Sequence, residues 1–175
     1  PKYEKRLLNK DELKQLPSFF GLDFGFTNDP TAFMHVKIDR ENKRLYILEE
    51  YVKKGLLNNQ IAEAITSLGY SKEVIMADSA EQKSIAELQT LGLRRAIPVN
   101  KGKGSVLQGI QFLQQFDIIV DERCVKTIED LRTIHGRKIS IQTSTSTSHA
   151  IVITTVSTLL GTHCKTLFSS RISRM

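Results

Sequence analysis

The order in which apolar residues change their spacing constrains this chain more than any single motif. Three strand-like segments come first. Ser18–Asp23 (SFFGLD) is a short apolar run ending in an acid. Thr31–Val36 and Arg44–Tyr51 alternate apolar and polar residues on either side of a turn-like Asp39-Arg40-Glu41-Asn42. The period then lengthens: Leu56–Leu68 is apolar at helical spacing and stops at Gly69. Glu73–Asp78 (EVIMAD) is a second buried run ending in an acid. Helices are expected over Glu81–Leu91, Val106–Phe116 and Arg123–Leu131, with strands at Arg95–Val99 and Ile118–Val120. A meander followed by alternating helices and strands predicts one α/β domain, a mixed sheet in the order βββαβαβαβα with helices on both faces.

That order has a chemical consequence. The first and fourth strands of such a sheet are neighbours, so Asp23 and Asp78 leave it close together at one edge. Two facing carboxylates repel unless a cation lies between them, and hard carboxylate oxygens suit Mg²⁺ or Mn²⁺. Two such ions can activate water and stabilise the leaving oxygen of a phosphodiester. Either acid alone reads more readily as a loop-capping turn residue, because Asp is common after strands, and only the pair at matching strand ends brings the two readings level. Gly25, two residues after Asp23, offers bare backbone that a phosphate can approach. Lys101-Gly102-Lys103-Gly104-Ser105 lacks the earlier Gly of a phosphate-cradling ATP loop. As a basic loop ahead of a helix, it makes Lys101 and Lys103 candidate DNA phosphate contacts, as is Lys83 near Asp78; a solvated loop is the plainer reading.

The stretches GLDFGFTNDPTAF (21–33) and IMADSAEQKSIAEL (75–88) closely resemble the nuclease domain of large terminase subunits from tailed double-stranded DNA phages and prophages. The resemblance continues through residues 92–130 and covers nearly all of 3–130. It implies a ribonuclease H-like fold, whose element order is the one read above. It also implies an endonuclease that cuts concatemeric phage DNA during packaging, using two Mg²⁺ or Mn²⁺ ions. Asp23 and Asp78 would be the metal-binding catalytic acids, with Asp23 bridging both ions. Implied partners are double-stranded DNA, the terminase small subunit and the portal, in the cytoplasm of a bacterial host. Residues 1–16 are then expected to be a linker from an upstream ATPase domain, and 17–130 the nuclease domain. The chain opens at Pro1 without an initiator Met, as a fragment would.

The family carries a further His and Asp near its C-terminus, in a helix reading roughly N-H-x-I-D-x-L-R-Y, which residues 131–175 lack. That tail holds six Lys/Arg and no acid, whereas residues 1–130 balance 19 basic against 19 acidic residues. The net charge of +6 therefore reports on the tail and is no argument for DNA binding. Of the tail's 45 residues, 17 are Ser or Thr. Back-translated and reread one base away, residues 129–168 accommodate a peptide ending in the missing pattern. The expectation is a tail out of frame, with the third acid lost and activity impaired. A disordered Ser/Thr-rich tail is the competing reading. His149 and His163 read as incidental, while Glu49, Glu50 or Asp121 are possible substitutes for the lost acid.

Rival functions are a catalytically dead module that contacts DNA or the portal, and an actin-like ATP-binding domain suggested by Asp23-Phe24-Gly25-Phe26-Thr27. The latter needs a second Gly-rich phosphate loop that the sequence does not contain. Cys124 and Cys164 are too few and too far apart for a disulfide framework or a zinc site, and no stretch is long and apolar enough to span a bilayer.

Overall fold

A computed structural model describes residues 3–25, 29–99, 111 and 114–136. The strands are β1 (Tyr3–Arg6), β2 (Ser18–Asp23), β3 (Pro30–Asp39), β4 (Arg44–Lys54), β5 (Ile75–Asp78), β6 (Ala96–Val99) and β7 (Asp117–Asp121). The helices are α1 (Asn58–Ser67), α2 (Gln82–Thr90) and α3 (Val125–Gly136), with a 3-10 turn at Ser79–Glu81 leading into α2. The strands form one sheet in the order β1-β7-β4-β3-β2-β5-β6. Only β3 runs against the others, so β2, β4, β5, β6 and β7 all end at the same edge.

Both faces are covered, because alternate residues of each strand are apolar on each side. Phe20, Leu22, Phe33, Ile75 and Ala77 pack against α1 (Ile61, Ala62, Ile65) and α2 (Ile85, Leu88). Met34, Val36, Ile38, Leu45, Ile47, Met76, Ile118 and Val120 pack on the other face against Cys124 and, from α3, Ile128 and Leu131. Fully buried side chains such as Ile65 and Leu88 each contribute about 1.5–3 kcal/mol relative to exposure. Among the described residues no helix is long and apolar enough to cross a membrane.

The expected elements from β2 to β6 are all present, with β3 and β4 longer than their alternation suggested and α3 running on to Gly136. The expected helix over Val106–Phe116 lies mostly outside the described residues, as do positions 137–175 of the tail.

One segment differs from expectation. Residues 1–16 are expected to be a linker, yet Tyr3–Arg6 is the edge strand of the sheet, parallel to β7 in the register Tyr3↔Ile118 to Arg6↔Asp121. The chain then stays docked. Leu8, Leu13 and Leu16 cover Tyr46, Leu48 and Ile119. The Leu8 N–H donates to the Asp121 carboxylate at 3.0 Å, and the Lys37 ammonium donates to the Leu16 carbonyl at 2.9 Å.

Candidate active site

The two acids end neighbouring strands. β2 and β5 are parallel neighbours in the register Phe20↔Ile75, Gly21↔Met76, Leu22↔Ala77, and one further step sets Asp23 beside Asp78. Adjacent strands lie about 4.8 Å apart, and registered residues point to the same face. That face is settled by alternation. Phe19 and Met76, each an even number of residues from its acid, pack on the α3 side, so Asp23 and Asp78 also point there, at the edge where β2 and β5 end.

The Asp78 Oδ1 accepts the Ala80 N–H at 3.1 Å and caps the 3-10 turn. The turn-residue reading of Asp78 thus holds in the structure. Lys83 follows in the first turn of α2, exposed. Lys101 and Lys103 lie outside the described residues.

Gly25 earns its place for a reason other than phosphate approach. A Cβ there would lie 2.2 Å from the Asp29 carbonyl oxygen and 2.5 Å from the Thr31 nitrogen. The space is filled by the chain itself, folding back from β2 into β3. The Gly25 N–H donates to Thr31 Oγ1 at 3.0 Å, and Thr31 is buried. The loop leaving Asp23 is thereby pinned to the start of β3.

The three acids offered as substitutes for a lost ligand all have other partners. Glu49 lies on the α1/α2 face, accepting from Lys10 (2.9 Å) and from the Tyr70 hydroxyl. Asp121 is fully buried and bound by Arg123, at 2.7 Å from both Nε and Nη2, and by the Leu8 N–H. Burial alone would raise its pKa, but these hydrogen bonds hold the carboxyl below the usual range. Glu50 shares the acid-bearing face but accepts the Lys126 and Thr127 N–H groups (2.6 and 2.8 Å) and the Thr127 hydroxyl (2.6 Å). It therefore supplies acceptors for free N–H groups in the first turn of α3. Sequence reading missed this role because the two partners are 77 residues apart.

A backbone irregularity decides which glutamate goes where. The β3–β4 register shifts between His35 and Val36: Val36 pairs with Ile47 but His35 pairs with Glu49, leaving Leu48 extra. This bulge reverses the alternation downstream. Glu49 is sent to the α1/α2 face, and Glu50 and the end of β4 to the acid-bearing face.

Among the described residues no group of three or more His, Cys, Asp and Glu could hold a metal ion. The donor chemistry of the Asp23–Asp78 pair nonetheless fits Mg²⁺ or Mn²⁺, since Mg²⁺ is commonly held through one or two carboxylates and keeps several waters. A second ion needs a further donor. Cys124 is no such donor, because burial, reinforced by nearby Glu50 and Asp121, raises its thiol pKa and keeps it protonated.

The family model described as "Terminase RNAseH like domain" matches residues 23–145, well over half of the chain. The PBSX phage terminase large subunit of Bacillus subtilis is 35% identical over 115 residues, which are 65% of this chain and 26% of that protein. The large terminase subunit of Bacillus phage SPP1 is 34% identical over 114 residues, 65% of this chain and 25% of the relative. The chain thus spans about a quarter of the length of these curated relatives. Among solved structures, the nuclease domain of the SPP1 large terminase with bound Mn superposes with a TM-score of 0.74 at 24% identity, covering 89% of this chain and 93% of that one. The P22 large terminase nuclease domain gives 0.60 at 13% identity, covering 90% and 86%. The likeness to these two structures is one of fold, ribonuclease H-like in both its sheet and its helices; with the family match over residues 23–145, the chain belongs to the terminase RNase H-like domain family.

Proposed function

We propose that this chain is a metal-dependent endonuclease domain that cuts concatemeric double-stranded DNA during phage genome packaging. The observation that carries the reading is that Asp23 and Asp78 end neighbouring parallel strands, each one residue past the registered pair Leu22↔Ala77, at one edge of the sheet. Asp23 and Asp78 would hold the divalent cations, two Mg²⁺ or Mn²⁺ ions. Bound divalent cations supply nucleophile activation and neutralise charge on the leaving oxygen. The protein's own part is positional: the Gly25–Thr31 contact fixes the loop after Asp23, the Ala80 N–H orients Asp78, and Lys83 offers its ammonium to a DNA phosphate. The small subunit and the portal are its proposed partners, an upstream ATPase domain its proposed neighbour, and the host cytoplasm its proposed setting.

The chain as written is expected to cut weakly, because the family's C-terminal His and Asp pattern is missing from residues 131–175. A tail displaced from its reading frame after residue 130 is the proposed origin of that loss. The test is nicking of supercoiled plasmid with Mn²⁺ or Mg²⁺, comparing this chain, a frame-restored version, and Asp23→Asn and Asp78→Asn in the restored background. The restored chain is expected to cut and the present chain to cut weakly. Each Asn variant should lose more than the roughly 10- to 100-fold typical of removing an outer-shell partner. Cutting without metal, or undiminished cutting by Asp23→Asn, would overturn the assignment.

A further inference from the structure

The end of β4 carries two lysines whose position bears on the acid pair. The β3–β4 register continues to Ala32↔Val52, Thr31↔Lys53 and Pro30↔Lys54, while Asp23 pairs with Ala32. Asp23, Ala32 and Val52 thus form one row across the sheet, and Lys53 and Lys54 extend beyond it at the edge where Asp23 and Asp78 emerge. Tyr51 packs on the α1/α2 side. By alternation Val52 and Lys54 face the α3 side, as the two acids do. The bulge at Leu48 is what gives Lys54 this orientation; without it, Lys54 would face the other way. Gly55 follows with φ of +67°, a left-handed turn that ends the strand immediately after the lysine.

Several other cations of the described structure are tied to neighbours, although Lys5, Lys72 and Lys83 are exposed as well. Lys10, Lys14, Arg123 and Lys126 are in ion pairs, and Lys37 donates to the Leu16 carbonyl. Lys53 and Lys54 are exposed and take part in none of the ion pairs among the described residues. Two strands and two residues separate Lys54 from Asp23, roughly 12 Å between Cα positions. In the sheet order β4-β3-β2-β5, they stand on one side of the acid pair, and Lys83, following β5, stands on the other.

We infer that Lys54, assisted by Lys53, is a DNA-backbone contact that holds a phosphate flanking the one presented to Asp23 and Asp78. The inference rests on the nuclease reading above and extends it by fixing the path of the strand: across the strand ends, from the tip of β4 over β2 and β5 toward α2. Phosphates approaching a pair of carboxylates are repelled, and cations on both sides offset that repulsion while setting register along the backbone. Lysines at strand tips also serve to block unwanted sheet pairing, and that role would leave DNA affinity untouched.

The experiment is fluorescence anisotropy of a labelled 20-base-pair duplex with the 175-residue chain in EDTA, over a salt series. The variants are Lys53→Ala/Lys54→Ala, Lys54→Arg and, as a control at the opposite edge, Lys72→Ala, each checked by circular dichroism melting. The double variant is expected to bind about 3- to 10-fold more weakly at low salt, and its log Kd against log salt slope should fall by about one to two. Lys54→Arg should stay near the parent. A double variant indistinguishable from Lys72→Ala overturns this inference and leaves the nuclease reading standing. A parent chain that binds no duplex overturns the inference as well. The nuclease reading itself is judged separately, by plasmid nicking in the frame-restored chain.

Discussion

Gly25 and Thr31 show how much a site can depend on residues that touch no substrate. Asp23 sits at the end of β2, where the chain must turn back at once into β3, and the turn closes so tightly that only hydrogen fits at Gly25. The sequence made Gly25 conspicuous but not its reason, because the neighbour that excludes a Cβ is backbone of Asp29–Thr31, whose approach no local pattern announces. Thr31→Val keeps the volume and removes the acceptor of the Gly25 N–H, so it should cost about 1 kcal/mol of stability and weaken Mn²⁺ binding. Thr31→Ser should restore the Mn²⁺ affinity. Urea unfolding and Mn²⁺ titration by electron paramagnetic resonance would check both. If Val and Ser bind the ion equally, the contact does not position Asp23.

Elements were legible where apolar periodicity alone specifies them. β2 and β5 are unbroken apolar runs, and α1 and α2 end just short of Gly69 and Gly92 as expected. β1 was not legible: its burial is half-buried Tyr3 followed by three exposed charged residues, and only pairing with β7 makes it a strand. The bulge in β4 was equally hidden, since the alternation of Arg44–Tyr51 gives no sign of a slip at Leu48. Its consequence is the anchoring of α3 by Glu50. Removing that carboxylate in Glu50→Ala leaves two first-turn N–H groups without their acceptor, and should cost about 1–3 kcal/mol by chemical denaturation. Glu50→Gln should cost less, as it retains one acceptor oxygen. A change within about 0.5 kcal/mol for Glu50→Ala would show that solvent replaces the cap fully.

Over the whole molecule, the N-terminal segment is bound to the sheet by a polar network with His35 at its centre. Lys10 donates to Glu49 and to the Tyr70 hydroxyl, and Tyr70 donates to Glu49. With that proton committed, His35 Nδ1–H donates to Tyr70 (3.2 Å) and Nε2 accepts from the Ser18 hydroxyl (3.1 Å), the pattern of a neutral ring. Burial first, then the charges of Lys37 and Lys10, lower the His35 pKa to about 4, with Glu49 opposing. The unfolded chain binds a proton near pH 6.5 that the fold does not. Stability is therefore complete above that pH and falls as pH drops toward 4, by at most about 2 kcal/mol between pH 7 and 5. Urea midpoints over that range should decline in the parent and flatten in His35→Gln. A flat parent profile would mean the ring is not held neutral.

The pairing of β1 with β7 also sets a timetable. Tyr3 leaves the ribosome more than a hundred residues before Ile118, its partner. Until β7 is made, the inner edge of β4 over Arg44–Ile47 has no neighbour either. At about 5–20 residues per second, the first strand waits several seconds for its place. The sheet cannot close by local steps: among the described strands the last-made joins the first-made, and folding is gated by the slow formation of contacts distant in the chain. Charge on Glu4, Lys5 and Arg6 suits a segment that must stay solvated through that delay.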